Sequence, residues 1–248
     1  MRKRIFAANW KMNHGPTAAA GFMHQFRSRW VKGDAEVAFF PSALAFAAVR
    51  AAAGDRSPFK LGVQNVYTAE RGAFSGENSA PMAKDAGADY VLVGHSERRQ
   101  LFGETDADVA EKCAIVERSG LTPLLCVGET LDERERGNTS SVVTRQLREG
   151  LSKLDQIELT MTVIAYEPVW AIGTGLNATP TDASETHGVL RHALRELIGD
   201  RASEVSILYG GSVTPANAHQ LLAGSDIDGV LVGGASLEVE SWLSICSA

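Results

Sequence analysis

Three side chains in this sequence stand where they could hold charge or move a proton, each just after a short apolar run. Lys11, in Asn9-Trp10-Lys11, could face an anionic substrate, with Asn9 beside it as a hydrogen-bonding group. His95, in Val93-Gly94-His95-Ser96-Glu97, opens a polar stretch, a place suited to carbonyl polarisation or proton transfer. Glu167, in Ile164-Ala165-Tyr166-Glu167-Pro168, sits at the mouth of a third run. Desolvation there would raise the pKa of its carboxyl and make it a stronger base near neutral pH. Each also has a plainer reading: a solvated lysine, a packed histidine, a capping carboxylate. Glu97 is either a second acid or the partner of a nearby lysine or arginine.

Two glycine-rich stretches add a possible anion grip. Gly210-Gly211-Ser212 and Gly233-Gly234 follow two further apolar runs, and helices are expected next. Glycines let backbone N–H groups approach an anion, and a helix N-terminus adds positive potential. The 11 residues from Pro168 to Ala178 have a stiff start and a Gly173-Thr174-Gly175 tip. That exceeds the usual two to six residues of such a connection and suits a lid over Glu167. No HxxxH, acidic cluster or cysteine pair offers metal ligands, and no dinucleotide fingerprint has the right context. The expected chemistry is metal-free and cofactor-free: proton abstraction next to a carbonyl.

The elements that must position these groups can be read from the apolar pattern. Eight short runs recur: Ile5–Ala8, Val37–Phe40, Lys60–Val63, Tyr90–Val93, Leu124–Val127, Val163–Tyr166, Val205–Tyr209 and Gly229–Val232. They are continuous rather than alternating, as in parallel strands buried on both faces. Helix signals lie between them. Thr105 with Asp108 forms a capping-box pattern, with Val109, Cys113 and Val116 on one face and Gly120 as the stop. Thr179-Pro180 and Thr214-Pro215 read as N-caps followed by a first-turn proline. Further helices are expected over 16–32, 43–53, 79–86, 138–153 and 234–246. Eight strand–helix repeats predict a single (β/α)8 barrel over residues 1–248, with an open doubly wound sheet as the alternative. The barrel requires its chemistry at the C-terminal ends of the strands, where Asn9, Lys11, Gln64, His95, Glu167 and both glycine stretches fall.

Composition narrows the class. The chain has 248 residues, 24 Lys+Arg against 30 Asp+Glu, and a net charge of −6. An acidic chain without a basic block is not a general nucleic-acid or anionic-membrane binder. No apolar run reaches the roughly 18 residues of a membrane span. The basic Arg2-Lys3-Arg4 is followed by too short an apolar stretch for a signal peptide. Cys113, Cys126 and Cys246 form no CxxC pair, which points to a reducing, cytoplasmic setting. Cys126, within the fifth run, is expected to be packed.

Five strings together carry a resemblance: Asn9-Trp10-Lys11-Met12-Asn13, Val93 to Arg99, Ala165 to Gly175, Tyr209 to Val213 and Leu231 to Leu237. In order and over the whole chain, they resemble the triosephosphate isomerase family. The resemblance implies interconversion of dihydroxyacetone phosphate and glyceraldehyde 3-phosphate through an enediolate, without a cofactor. It implies Glu167 as the base, His95 as the neutral polarising imidazole, Lys11 as the positive charge and Asn9 as the source of a hydrogen bond. Gly173, Ser212, Gly233 and Gly234 would hold the phosphate, with Ile172 and Leu231 clamped over Glu167. The family is usually dimeric, and Gly72 to Asn78 resembles the loop that reaches a partner beside Met12. Ser75 stands there in place of the usual threonine, and Leu176-Asn177 where the lid's end commonly begins with lysine. A Schiff-base aldolase using Lys11 and a non-catalytic sugar-phosphate binder are the other classes this architecture could serve.

Overall fold

A computed structural model describes residues 2–171 and 178–248. Eight parallel strands close into a barrel in sequence order: β1 Ile5–Asn9, β2 Glu36–Phe40, β3 Lys60–Val63, β4 Tyr90–Val93, β5 Thr122–Val127, β6 Val163–Tyr166, β7 Ile207–Tyr209 and β8 Gly229–Val232. The ring shuts where β1 pairs with β8, Ile5 opposite Gly229 and Ala8 opposite Val232. Closure removes the open-sheet alternative. Among the described residues the helices are α1 Pro16–Arg29, α2 Ala43–Ala53, α3 Ala80–Asp85, α4 Ser96–Phe102, α5 Asp106–Arg118, α6 Leu131–Glu135, α7 Thr139–Leu151, α8 Gln156–Leu159, α9 Pro180–Ile198, α10 Ala218–Leu222 and α11 Val239–Cys246.

The continuous apolar runs are explained by two cores, one on each face of the sheet. Outward-facing residues such as Phe6, Phe39, Val91 and Ile164 pack under the helices. Inward-facing residues fill the barrel: Ile5, Ala7, Ala38, Phe40, Tyr90, Leu92 and their neighbours on β5 to β8. The Phe40 ring needs the space left by Gly62 on β3, where a Cβ would come within 2.1 Å of it. The interior is therefore packed solid, and a ligand can only sit at a mouth.

Local capping sets the helix starts. Thr105 and Asp108 make a reciprocal capping box, as do Thr179 and Asp182, with Pro180 in the first turn. Three expectations need correction. The first helix stops at Arg29, because Trp30 turns extended after bonding back to Phe26. Thr214 does not cap a helix: its N–H bonds the Asn217 side chain in a turn, and α10 begins only at Ala218. The stretch 234–246 is split, with a 3-10 turn over Gly234–Ser236 before α11.

Candidate active site

The C-terminal mouth brings Asn9, Lys11, His95, Glu167, Ser212, Gly233 and Gly234 around one cavity of 330 Å³. Gly173, Ile172, Leu176 and Asn177 lie outside the described residues.

Lys11 is placed by its backbone. It has φ +50°, a left-handed conformation unusual for a residue with a Cβ. Both sides of it are gripped. Its N–H donates to Asn9 Oδ1 at 3.0 Å, and its carbonyl accepts from Gln64 Nε2 at 2.8 Å. Gln64 also bonds Phe40 O at 2.9 Å, which ties the loop to β2. The ammonium then reaches Glu97 Oε1 at 2.7 Å, so Glu97 is the lysine's ion partner.

His95 caps α4. Its Nδ1 accepts the Glu97 N–H at 3.3 Å, leaving Nε2 to face Glu167 Oε1 at 3.0 Å. That pattern assigns the Nε2–H tautomer, since Nδ1 is already used as an acceptor. Gly94, immediately before it, has φ +70° and is also held on both sides. Its N–H donates to Glu104 Oε1 at 3.1 Å, and its carbonyl accepts from Arg99 Nε at 2.8 Å. Buried Glu104 is itself paired with Arg98 at 2.7 Å and Lys112 at 2.8 Å. Burial pushes its carboxyl up, Lys112 and Arg98 push it down further, and the balance lies below the ordinary value.

Glu167 is nearly fully buried, and its two oxygens are taken by His95 and by the Ser96 N–H, the latter at 2.9 Å. This overturns the expectation of a raised pKa. Burial alone pushes the carboxyl up, but His95 and the Ser96 amide favour the anion, and the result lies below the usual carboxylate range. The carboxylate also pulls His95 above its ordinary value against burial. A second ring proton would cost the Glu97 N–H bond.

The backbone leaving Glu167 is anchored by a group the sequence reading passed over. Glu129 is fully buried, and its Oε1 accepts from Trp170 Nε1 at 2.9 Å and Tyr166 Oη at 3.1 Å. Arg134 lies over the Trp170 ring, 4.2 Å from its centroid. The Val169–Ala171 3-10 turn is fastened again by Ser212 Oγ, which donates to Ala171 O at 2.9 Å. Gly211 sits in the same crowd: a Cβ there would come 2.2 Å from Tyr209 Oη and 2.9 Å from Pro168. After β8, Gly233 caps and Gly234 opens the 3-10 turn over Gly234–Ser236, a helical N-terminus of a single turn, whereas Gly210-Gly211-Ser212 does not open a helix directly, since α10 begins only at Ala218.

Two missed residues had signals. Glu129 follows β5 by one glycine, the same strand-end position that singles out Glu167. Lys112 falls three residues after Val109, on the apolar stripe of α5, where a charge demands a buried partner. Cys126 is fully buried, and burial holds its thiol well above its ordinary value.

A carboxylate, an imidazole and an ammonium facing one glycine-walled cavity at a barrel's C-terminal mouth define an enzyme of the barrel class that works on small anionic molecules. The sequence profile described as triosephosphate isomerase matches residues 4–248, and the chain belongs to that family. Proteins named triosephosphate isomerase are 50% identical over 245 residues in Bdellovibrio bacteriovorus, covering 99% of each chain. One from Moorella thermoacetica is 48% identical over 246 residues, covering 99% of this chain and 98% of its own. A third, from Endomicrobium trichonymphae, is 46% identical over 247 residues, again at 99% and 98%.

Proposed function

We propose that this chain interconverts dihydroxyacetone phosphate and D-glyceraldehyde 3-phosphate, with Glu167 as the base that moves one proton between the two carbons. The observation that supports this most is the contact of 3.0 Å between Glu167 and the His95 Nε2–H inside the glycine-walled cavity. Substrate entering there displaces the carboxylate from His95 and Ser96. Freed of those two bonds in a dry site, Glu167 becomes a stronger base, because burial then meets less opposition. His95 Nε2–H turns to the substrate carbonyl and stabilises the enediolate oxygen as charge develops, with Lys11 adding positive potential. The proton held on Glu167 returns to the neighbouring carbon, and the hydroxyl proton passes from one enediolate oxygen to the other, so nothing is consumed. Asn9 contributes through the Lys11 amide that it holds. Gly173, Ser212, Gly233 and Gly234 would hold the phosphate. The Lys11 ammonium is engaged by Glu97, which favours a charge role over that of a Schiff-base amine.

A homodimer is part of the same reading. Met12, Phe74, Met82, Leu101 and Phe102 expose large apolar side chains, and Met12 and Phe102 line one hollow beside Gln64. A second copy, reached by the loop around Ser75, would cover them. We place the enzyme in the cytoplasm, on one barrel domain. Among the described residues no helix is long and apolar enough to cross a membrane. The test is turnover of both triose phosphates by the purified chain with EDTA present. Turnover that survives EDTA, with solvent deuterium appearing next to the product carbonyl, is expected. Folded protein without turnover would overturn the reading.

A further inference from the structure

We propose that His14 is a positioning residue for phosphate binding, fastening the Gly233–Gly234 turn to the loop that carries Lys11. This rests on the assignment of Gly233 and Gly234 to the phosphate. His14 has φ +55°, a second left-handed residue three positions after Lys11. A residue with a Cβ adopts that conformation at a cost, so the chain must gain something from the ring placed there.

The ring's contacts show what it gains. Nε2 lies 3.1 Å from Leu237 O, and a carbonyl oxygen only accepts, so Nε2 carries the proton. The preceding carbonyl, Ser236 O, accepts from Trp10 Nε1 at 3.2 Å. Two ring N–H groups from the β1 loop thus hold consecutive carbonyls behind β8. The two rings also brace each other edge to face, with centroids 5.0 Å apart, and His14 leans on Phe22 of α1.

The turn they hold is bonded to the candidate phosphate groups. Ser236 Oγ donates to Val232 O at 3.0 Å and Gly233 O at 2.7 Å, and the Ser236 N–H returns to Gly233 O at 2.9 Å. On the pocket side, Gly233 faces Lys11 so closely that a Cβ on it would come 3.2 Å from Lys11 Cε. The loop that carries Lys11 and the Gly233–Gly234 turn are therefore joined by bonds behind the pocket. Loosening that join weakens the grip on phosphate equally in the ground state and the transition state. Such a loss raises KM and leaves kcat alone.

The experiment compares the native chain with His14→Phe, which keeps a ring but has no donor, and with His14→Gln, which restores one. It measures kcat, KM for glyceraldehyde 3-phosphate and competitive inhibition by inorganic phosphate. For His14→Phe, KM and the phosphate inhibition constant are expected to rise together by roughly 3- to 10-fold, the range of one hydrogen bond. Its kcat should stay within about twofold, and His14→Gln should recover most of the loss. If His14→Phe does not fold, His14→Gly removes the ring while relieving the left-handed strain, and the same rise is expected. Unchanged KM and phosphate inhibition in either variant overturn the proposal. So does a fall in kcat alone, or a His14→Gln as impaired as His14→Phe. Absence of competition by phosphate in the native chain would instead strike the phosphate assignment itself, and the proposal with it.

Discussion

The peptides of Lys11 and of Gly94, just before His95, are clamped by side chains behind the pocket, whereas at Glu167 both carboxylate oxygens, the reacting atoms, are taken up. At the β1 and β4 corners, side chains clamp the peptide groups of Lys11 and Gly94 from both sides, and these bonds lie behind the pocket. A substrate can enter without breaking them. At the β6 corner, the bonds that fix Glu167 are made by the atoms that must react. The difference separates a preorganised electrophilic half, whose donors are already aimed, from a base that is parked and stabilised as an anion until substrate takes its place.

Removing one group from each half sharpens this contrast. Glu167→Ala should lower kcat by about 10²- to 10⁴-fold, the usual worth of a positioned base. Its inhibition by inorganic phosphate should stay within about twofold, because the base takes no part in the grip. Lys11→Ala should weaken both, turnover by roughly 100-fold and phosphate inhibition by about tenfold. If Glu167→Ala loses phosphate inhibition as severely as Lys11→Ala, the two halves are not separable. Steady-state kinetics at matched thermal stability decide it.

A smaller effect comes from beneath the β6 and β7 corner. His187 is fully buried, edge-on to Tyr166 with centroids 5.9 Å apart, and its Nδ1 bonds Asp226 O at 2.9 Å. Burial pushes its pKa down to about 4, against help from the Asp226 carbonyl. Above the ordinary histidine value of about 6.5, both folded and unfolded chains are neutral there. As pH falls from about 6.5 to 4, the unfolded chain takes up a proton that the folded chain refuses, so stability falls across that window. The loss from this residue amounts to about 3 kcal/mol at the lower end. Urea unfolding at pH 7 and pH 4.5 should show His187→Gln with a shallower pH dependence than the native chain. Parallel curves would contradict it.

Most of the scaffold was legible because a closed barrel imposes one rule on every strand. Runs such as Tyr90–Val93 are apolar without alternation, since one face packs the barrel and the other the helices, and a polar residue or a glycine after most of the runs marks the mouth. Lys11, His95 and Glu167 stand out for that reason. What could not be read is what depends on partners distant in sequence. Nothing around Glu167 announces that the Ser96 amide and His95 would take its oxygens, so burial alone gave the wrong sign for its pKa. The Glu104 cluster draws on Asn65, Arg98 and Lys112, from separate elements. The left-handed backbone at Lys11 and His14 has no glycine to betray it. The helix expected after β8 is split because Glu238 takes an extended backbone between the 3-10 turn and α11.

The most direct test of a fixed half and a parked base is a crystal structure of the chain bound to a phosphate-bearing analogue of the enediolate. Lys11, Gly94 and His95 are expected to keep their backbone positions within about 1 Å. Glu167 should have left the Ser96 N–H and lie against the ligand's carbon skeleton. A complex in which Glu167 still bonds Ser96 while the Lys11 or Gly94 peptide has moved would contradict it.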